Sequence, residues 1–168
     1  DKIAETASSI SPDFIAVLGS PVPTIVGADM AGIAAEIEAR TGIRTFGFST
    51  TGLRYYNQGA GEAMCQLIRS YARPDIPPVP DGINLLGLTP LDFSDNRNAA
   101  DLTAAARDHG LRVVASMMMG CTLEHIAAAP SARVNWVAAQ SGMAPARLME
   151  QLWGNPWLAA LPMGTGGA

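Results

Sequence analysis

Short apolar runs alternate with stretches whose apolar residues recur three or four positions apart, a pattern that predicts strands separated by helices. Residues 14–18, Phe-Ile-Ala-Val-Leu, form a continuous apolar run bounded by Pro12 and Gly19 and read as a strand buried on both faces. Met30, Ile33, Ala34 and Ile37 then share one helical face, with Gly42 as the stop. A second strand is expected at 44–49, a polar loop at 50–58, and a helix at 59–72 carrying Met64, Leu67, Ile68 and Tyr71. The rhythm repeats with a strand at 83–88, a polar loop at 89–97 and a helix capped by Asn98 that stops at Gly110. It continues with a strand at 113–117, a short helix capped by Thr122 and running to about 128, and a strand at 133–137. A helix at 142–153 with Pro145 in its first turn and a closing strand at 157–161 complete the chain.

About six strands separated mostly by helices predict an α/β fold with a largely parallel, Rossmann-like sheet flanked by helices and joined by right-handed crossovers. Pro74, Pro77, Pro78 and Pro80 crowd one stretch, which reads as an extended, semi-rigid linker. The expected organisation is a βαβα part of a first lobe at 1–73, a Pro-rich linker at 74–82 and a second lobe at 83–168, with packing as one α/β unit as the alternative. Ligands of such sheets bind beyond the carboxyl ends of the strands. That rule selects residues 19–27, 49–56, 89–95, 118–122 and 139–143. No repeat of fixed period is present.

Composition narrows the classes of partner. The 168 residues are 48% hydrophobic and only 15% charged, enough apolar material for a sizeable core and less charge than the ~25% usual in soluble domains. Surface covered by something outside this chain is one reading of that shortfall. The net charge of −4, the 6% aromatic content and the absence of a Lys/Arg cluster argue against nucleic acid and against an anionic membrane surface. No apolar run approaches the ~18 residues needed to span a bilayer, and no signal peptide opens the chain. The expectation is a cytoplasmic protein with two reduced thiols, Cys65 and Cys121, which cannot alone make a disulfide framework or a four-thiolate site. The chain starts at Asp1 without an initiator Met and closes on Gly-Thr-Gly-Gly-Ala. Both ends read as cut, which suggests a piece of a longer protein, with processing or an incomplete sequence as the alternatives.

Motif by motif, chemistry is sparse. The Gly-x-Gly-x-x-Gly fingerprint is missing after the first strand, where Pro21 and Pro23 replace backbone donors, and there is no Walker motif. Gly59-Ala-Gly61 before a helix reads as ordinary turn chemistry, with anion binding as the alternative. His109 sits where it complements a helix C-terminus. Cys121 and His125 are four apart on one helix face, but a nucleophilic dyad needs a third, orienting group, and none stands out. Ser20, Ser49 and Ser141 fall at strand ends, none within Gly-x-Ser-x-Gly. Met117-Met-Met119 reads as core packing and a loop anchor, with a soft pocket lining as the alternative. Tyr55-Tyr56 reads as lid packing, with a crevice or a subunit interface as the alternative.

Several stretches together resemble one family. Ser20-Pro21-x-x-x-Ile25-Val26-Gly27-Ala28-Asp29 is similar to the segment Cys-Pro-x-x-x-Ile-Gly-Asp-Asp of the component 1 superfamily of nitrogenase-like oxidoreductases. That superfamily includes the molybdenum-iron protein, its cofactor-assembly scaffold and the dark-operative protochlorophyllide and chlorophyllide reductases. Ile83-Asn-Leu-Leu-Gly87 resembles its Val-Asn-Ile-Ile-Gly, and Gly110-Leu-Arg-Val113 its strand entry. Thr122-Leu-Glu-His-Ile126 with Ala132-Arg-Val-Asn-Trp-Val137 resembles its Thr/Ser-Leu-x-x-Ile and Ala-x-x-Asn-Leu-Val block. Gly154-Asn-Pro-Trp157 with Pro162-Met-Gly164 resembles its Gly-x-Pro-Tyr and Pro-x-Gly close. Order and spacing agree from about Pro12 to Gly164.

The resemblance implies a parent of several hundred residues and three Rossmann-like lobes. Such a parent pairs with a homologous subunit or with itself and receives electrons from an ATP-dependent iron-sulfur reductase component. This chain would cover the late first lobe and the second. Ser20 stands where the family has a cluster-ligating Cys, and a hydroxyl is a much poorer ligand for cluster iron than a thiolate. Ala139 stands near the cofactor-holding Cys of nitrogenase itself, and Cys65 and Cys121 fall on neither position. The expectation is therefore no cofactor in this chain, no metal ligand and no assigned catalytic residue, with an iron-sulfur cluster in the full-length parent. Ser20, Thr50, Tyr55, Thr89, Cys121 and Gln140 are the expected crevice-lining residues. The alternative is a binding or scaffold module of the same fold that has lost cluster ligation.

Overall fold

The computed structural model describes residues 2–161, so Pro162-Met-Gly164 of the family-like close and the Gly-rich end lie outside the described residues. The chain divides into two compact units, Asp1–Tyr55 and Tyr56–Ala168.

In the first unit, β1 (Ile15–Gly19) and β2 (Thr45–Ser49) pair in parallel, from Ile15 opposite Thr45 to Gly19 opposite Ser49. A single turn, α2 (Pro21–Ile25), follows β1, with prolines at 21 and 23 where the missing N–H groups would lack helical partners anyway. α3 (Met30–Thr41) is the expected crossover helix. Asp29 caps it by accepting from the Gly32 N–H at 3.0 Å, and Gly42 ends it in the left-handed conformation. Glu38 near its end fastens the start of β2. The carboxylate accepts from the Thr45 N–H at 2.9 Å and from Arg44 at 3.1 Å, and its pKa is lowered, chiefly by the Thr45 backbone bond. A helix not foreseen in the sequence pattern, α1 (Lys2–Ile10), packs on α3. Its Ile3, Ala7 and Ile10 recur at helical spacing, and Ser8 bonds back to the Ala4 carbonyl.

In the second unit four strands form one all-parallel sheet in the order β4-β3-β5-β6. The elements run α4 (Tyr56–Tyr71), β3 (Val79–Leu88), α5 (Pro90–Phe93), α6 (Asn96–Asp108), β4 (Arg112–Met118), α7 (Leu123–Ala128), β5 (Ala132–Val137), α8 (Met143–Trp153) and β6 (Trp157–Ala159). Short 3-10 turns at Ala129–Ser131 and Gln140–Gly142 flank β5. β3 lies second in the sheet and is buried from Gly82 through Leu88, as a parallel strand covered on both faces must be. On one face Leu86, Ala115, Met117 and Val137 pack with Met64 and Ile68 of α4, Ile126 of α7 and Met149 of α8. On the other, Ile83, Leu85 and Leu88 pack with Ala99 and Ala106 of α6 and with Met119. Asn84 and Asn135, opposite each other on β3 and β5, are fully buried. The Asn84 amide donates to Asn135 Oδ1 at 2.8 Å and to the Ala129 carbonyl at 2.9 Å.

The α/β class, the parallel pairing and the six strands are as expected, but the strands lie in two sheets, of two and four strands. The division between the units falls at Tyr55/Tyr56, ahead of the Pro-rich stretch expected to separate the lobes. The reason is α4, whose Met64 and Ile68 enter the core of the second unit. The end of that Pro-rich stretch is strand, with Val79 opposite Ala132. Three local expectations are corrected. α4 begins at Tyr56 rather than 59, so Gly59-Ala-Gly61 lies inside a helix and offers no helix N-terminus to an anion. The 89–97 stretch contains α5, capped by Thr89. Asp95, not Asn98, caps α6, through a 2.8 Å bond from the Arg97 N–H, while the Asn98 amide donates to the Phe93 carbonyl.

Candidate functional site

In the order β4-β3-β5-β6 the connections leave β3 in one direction and β5 in the other, so the topological switch point lies between the carboxyl ends of β3 and β5. In open α/β sheets that is where a ligand-binding crevice opens. Two glycines shape it. Gly87 has φ +87°, and a Cβ there would meet the Ala139 carbonyl at 2.7 Å; a Cβ on Gly142 would meet the Leu86 carbonyl carbon at 2.7 Å. Only with two glycines facing each other can the 140–142 turn lie directly on the end of β3. Gly61 also lets α4 approach closely, its Cβ position being 3.0 Å from the Ser141 carbonyl.

The result is a carboxylate ringed by hydroxyls. Thr89 Oγ1 donates to Asp92 Oδ2 at 2.8 Å and accepts from the Asp92 N–H at 3.2 Å. Ser141 Oγ lies 3.3 Å from the Gly87 carbonyl and 3.4 Å from Asp92 Oδ2. Tyr56 donates its phenolic hydrogen to Asp92 Oδ1. Thr89 and Ser141 are buried, whereas Asp92 and Tyr56 face solvent. The bond to Asp92 raises the Tyr56 pKa, because ionised tyrosine would lose it and face the carboxylate. Chemically the cluster presents a fixed carboxylate, a phenol oxygen with a free lone pair and, beside them, the exposed amide of Gln140.

Of the six expected lining residues, Ser20, Thr50 and Tyr55 belong to the first unit and Thr89, Cys121 and Gln140 to the second. Ser20 is exposed just after β1. Thr50 follows β2 and donates to the Gly19 carbonyl, tying the two strand ends together. Tyr55 is 79% exposed. Thr89 and Gln140 stand at the β3/β5 switch point, and Cys121 follows β4. Asp92 did not stand out in the sequence. The signal for it was Thr89-Pro-Leu-Asp92, a capping pattern in which the fourth residue returns to the first.

The remaining candidates take structural roles. His125 Nδ1 accepts from the Thr122 N–H at 3.2 Å in a capping box, so its ring is oriented by backbone rather than by the Cys121 thiol. His109 Nδ1 lies 2.9 Å from the Ala105 carbonyl at the end of α6. Met117 and Met119 are buried on opposite faces of the sheet, and Met118 between them has φ +90°, a strained conformation at the end of β4. Burial pushes the Cys121 thiol up to about 11, partly offset by a backbone hydrogen bond involving Met118, and burial also raises Cys65. Neither is an activated thiolate.

Iron-sulfur clusters are held by sets of thiolates. Among the described residues no group of three or more His, Cys, Asp or Glu side chains comes together to hold a metal, and the two cysteines are protonated, half-buried thiols. The residues present do not fit a cluster. Among the described residues no helix is long and apolar enough to cross a membrane.

Comparison with known proteins points one way. The model of the family described as nitrogenase component 1 type oxidoreductase matches residues 1–168. A subunit of the light-independent protochlorophyllide reductase of Roseobacter denitrificans is 31% identical over 114 residues, covering 67% of this chain and 22% of that protein. Two solved structures of nitrogenase Cp1, at pH 6.5 and pH 5, superpose with TM-scores of 0.78 and 0.81 at 21% and 22% identity. Each comparison covers 98% of this chain and 32% or 33% of the solved one, a likeness of fold. The chain thus spans a third or less of the relatives it matches.

Proposed function

Because this chain belongs to the nitrogenase component 1 type oxidoreductase family, we propose that it is part of a longer oxidoreductase that reduces its substrate with electrons delivered through iron-sulfur clusters. The observation that carries the reading is the family match over residues 1–168; the 31% identity to a protochlorophyllide reductase subunit supports it. The clusters are held outside the described residues of this chain, by the rest of the polypeptide or by its partner. A homologous subunit or a second copy pairs with it, and an ATP-dependent iron-sulfur reductase component supplies the electrons. The cytoplasm is the compartment for this chemistry.

This chain's own contribution is crevice wall. Within the first unit Ser20, Thr50 and Tyr55 line the strand ends, and within the second unit Thr89, Cys121 and Gln140 line theirs. In the second unit Asp92, held by Thr89, Ser141 and Tyr56, fixes the polar groups at the β3/β5 switch point, where a substrate or cofactor edge would meet hydrogen-bonding partners rather than a nucleophile.

A second reading, a binding or scaffold module that no longer ligates a cluster, is favoured by one observation: Ser20 stands where a cluster-ligating Cys is expected. The absorbance spectrum of the full-length protein, purified anaerobically, separates the two. Iron-sulfur charge-transfer bands are expected. A tetrapyrrole spectrum without them, or no visible chromophore at all, overturns the redox reading in favour of the second.

A further inference from the structure

β4 forms one edge of the four-stranded sheet, and among the described residues no strand pairs with its outer side. An edge strand carries a row of backbone N–H and C=O groups ready to pair with another chain. Two adjoining hollows run beside β4 along α6. One, of about 470 Å³, is lined by Ala100, Thr103, Ala104, Arg107, Ser116 and Met119, among others. The other, of about 320 Å³, continues past Thr103 and Arg107 to Asp81, Arg112 and Val113. Small side chains, Ala100, Ala104 and Thr103 among them, line the first hollow, the second is mixed polar and apolar, and two arginines against one aspartate leave the groove net positive. Arg112 lies 3.5 Å from Asp81, while Arg107, which borders both hollows, has no carboxylate partner among the described residues.

We propose that the free edge of β4, with this groove, is a docking site for an extended acidic segment of a partner polypeptide. The segment adds as a fifth strand, sets small apolar side chains over Ala100 and Ala104, and places a carboxylate against Arg107. Backbone pairing gives the affinity and alternate side chains the specificity, as in other strand additions. A second copy of this chain fits less well: its own β4, Arg-Val-Val-Ala-Ser-Met-Met, brings another arginine to the groove and no carboxylate. Seven paired residues span about 23 Å of extended chain.

The test uses the isotope-labelled chain and a blocked heptapeptide alternating Val and Glu. Binding is expected to slow amide exchange selectively along 113–118 and to shift Arg107. The same peptide with alternate N-methylated amides, unable to pair along one edge, is expected not to bind. Arg107→Glu is expected to weaken the Glu peptide at least about tenfold, or roughly 1.4 kcal/mol, and to create binding of the matching Lys peptide. Arg107→Gln is expected to fall between and serves if the charge reversal disturbs folding. Absence of binding, protection elsewhere than β4, or a Glu-peptide affinity left unchanged by Arg107→Glu overturns the proposal.

Discussion

Tyr56 donates its phenolic hydrogen to the Asp92 carboxylate, joining the first residue of α4 to the short helix that follows β3. The bond exists only while Tyr56 is protonated, and its pKa in the fold lies above the ordinary 10.0. Folded and unfolded states therefore differ in proton affinity: the contribution is fully present below pH 10 and is lost as pH rises through the folded value. Asp92→Asn is expected to return the Tyr56 pKa toward 10.0, and Tyr56→Phe to remove the Tyr56 share of the alkaline slope in stability, leaving that of the two raised thiols. Tyrosinate absorbance and denaturant unfolding of each variant across a pH titration measure the two effects.

The Gly87–Gly142 approach leaves no room for a methyl group. Gly142→Ala drives its Cβ into the Leu86 backbone, and the expected cost is about 1–3 kcal/mol of stability in the second unit. Gly87→Ala adds the roughly 1–2 kcal/mol of a left-handed non-glycine residue. Urea titration with hydrogen exchange read in the second unit checks both. Changes within about 0.5 kcal/mol, the range of ordinary surface substitutions, would mean that the 140–142 turn does not rest on β3.

Asn84 and Asn135 form a side-chain amide pair within the parallel sheet, and each is fully buried. Asn84→Ala leaves the buried Asn135 oxygen without its donor, at an expected cost of about 1–3 kcal/mol, while the Ala129 carbonyl keeps the Ala132 N–H. Adding Asn135→Ala is expected to cost less than the sum of the single changes, because the pair is already broken. A double-mutant cycle by denaturant unfolding gives the coupling.

Both thiols are held protonated by burial, Cys121 with a pKa of about 11. Alkylation by iodoacetamide near neutral pH is expected to be slow in the folded chain and fast in denaturant. For Cys121 the folded-state rate should climb only as pH passes from about 9 toward 11. Rapid labelling at neutral pH would show instead that these thiols are exposed and activated.

Much of this architecture was legible because it rests on local rules. The apolar run at 14–18, the Gly42 and Gly154 stops and the Thr122 cap each carry their own signal, and each element stands in the structure. β1, however, is not buried on both faces as its apolar run suggested: Ala16 is exposed and Leu18 is 67% exposed. The start of α4 was not legible. Tyr56, Asn57 and Gln58 are polar, and two glycines follow. What fastens the first of them is Asp92, 36 positions away, and the helix they open is seated by the close approach of Gly61 to Ser141. The unit boundary was missed for a related reason. Prolines mark where a chain is stiff, but whether α4 belongs before or after a boundary depends on which core takes Met64 and Ile68. Of the site, Thr89 and Gln140 followed from the strand-end rule; Asp92 emerges only once α5 folds its carboxylate back onto Thr89.

The proposed parent is an oxidoreductase whose electrons pass through iron-sulfur clusters held outside the described residues of this chain. Iron and acid-labile sulfide should be quantified side by side, after anaerobic reconstitution, in the full-length protein with its partner subunit and in the 168-residue chain. Stoichiometric iron and sulfide are expected in the assembled protein and neither in the chain alone. An assembled protein devoid of iron, or a cluster formed by the isolated chain, would contradict this reading.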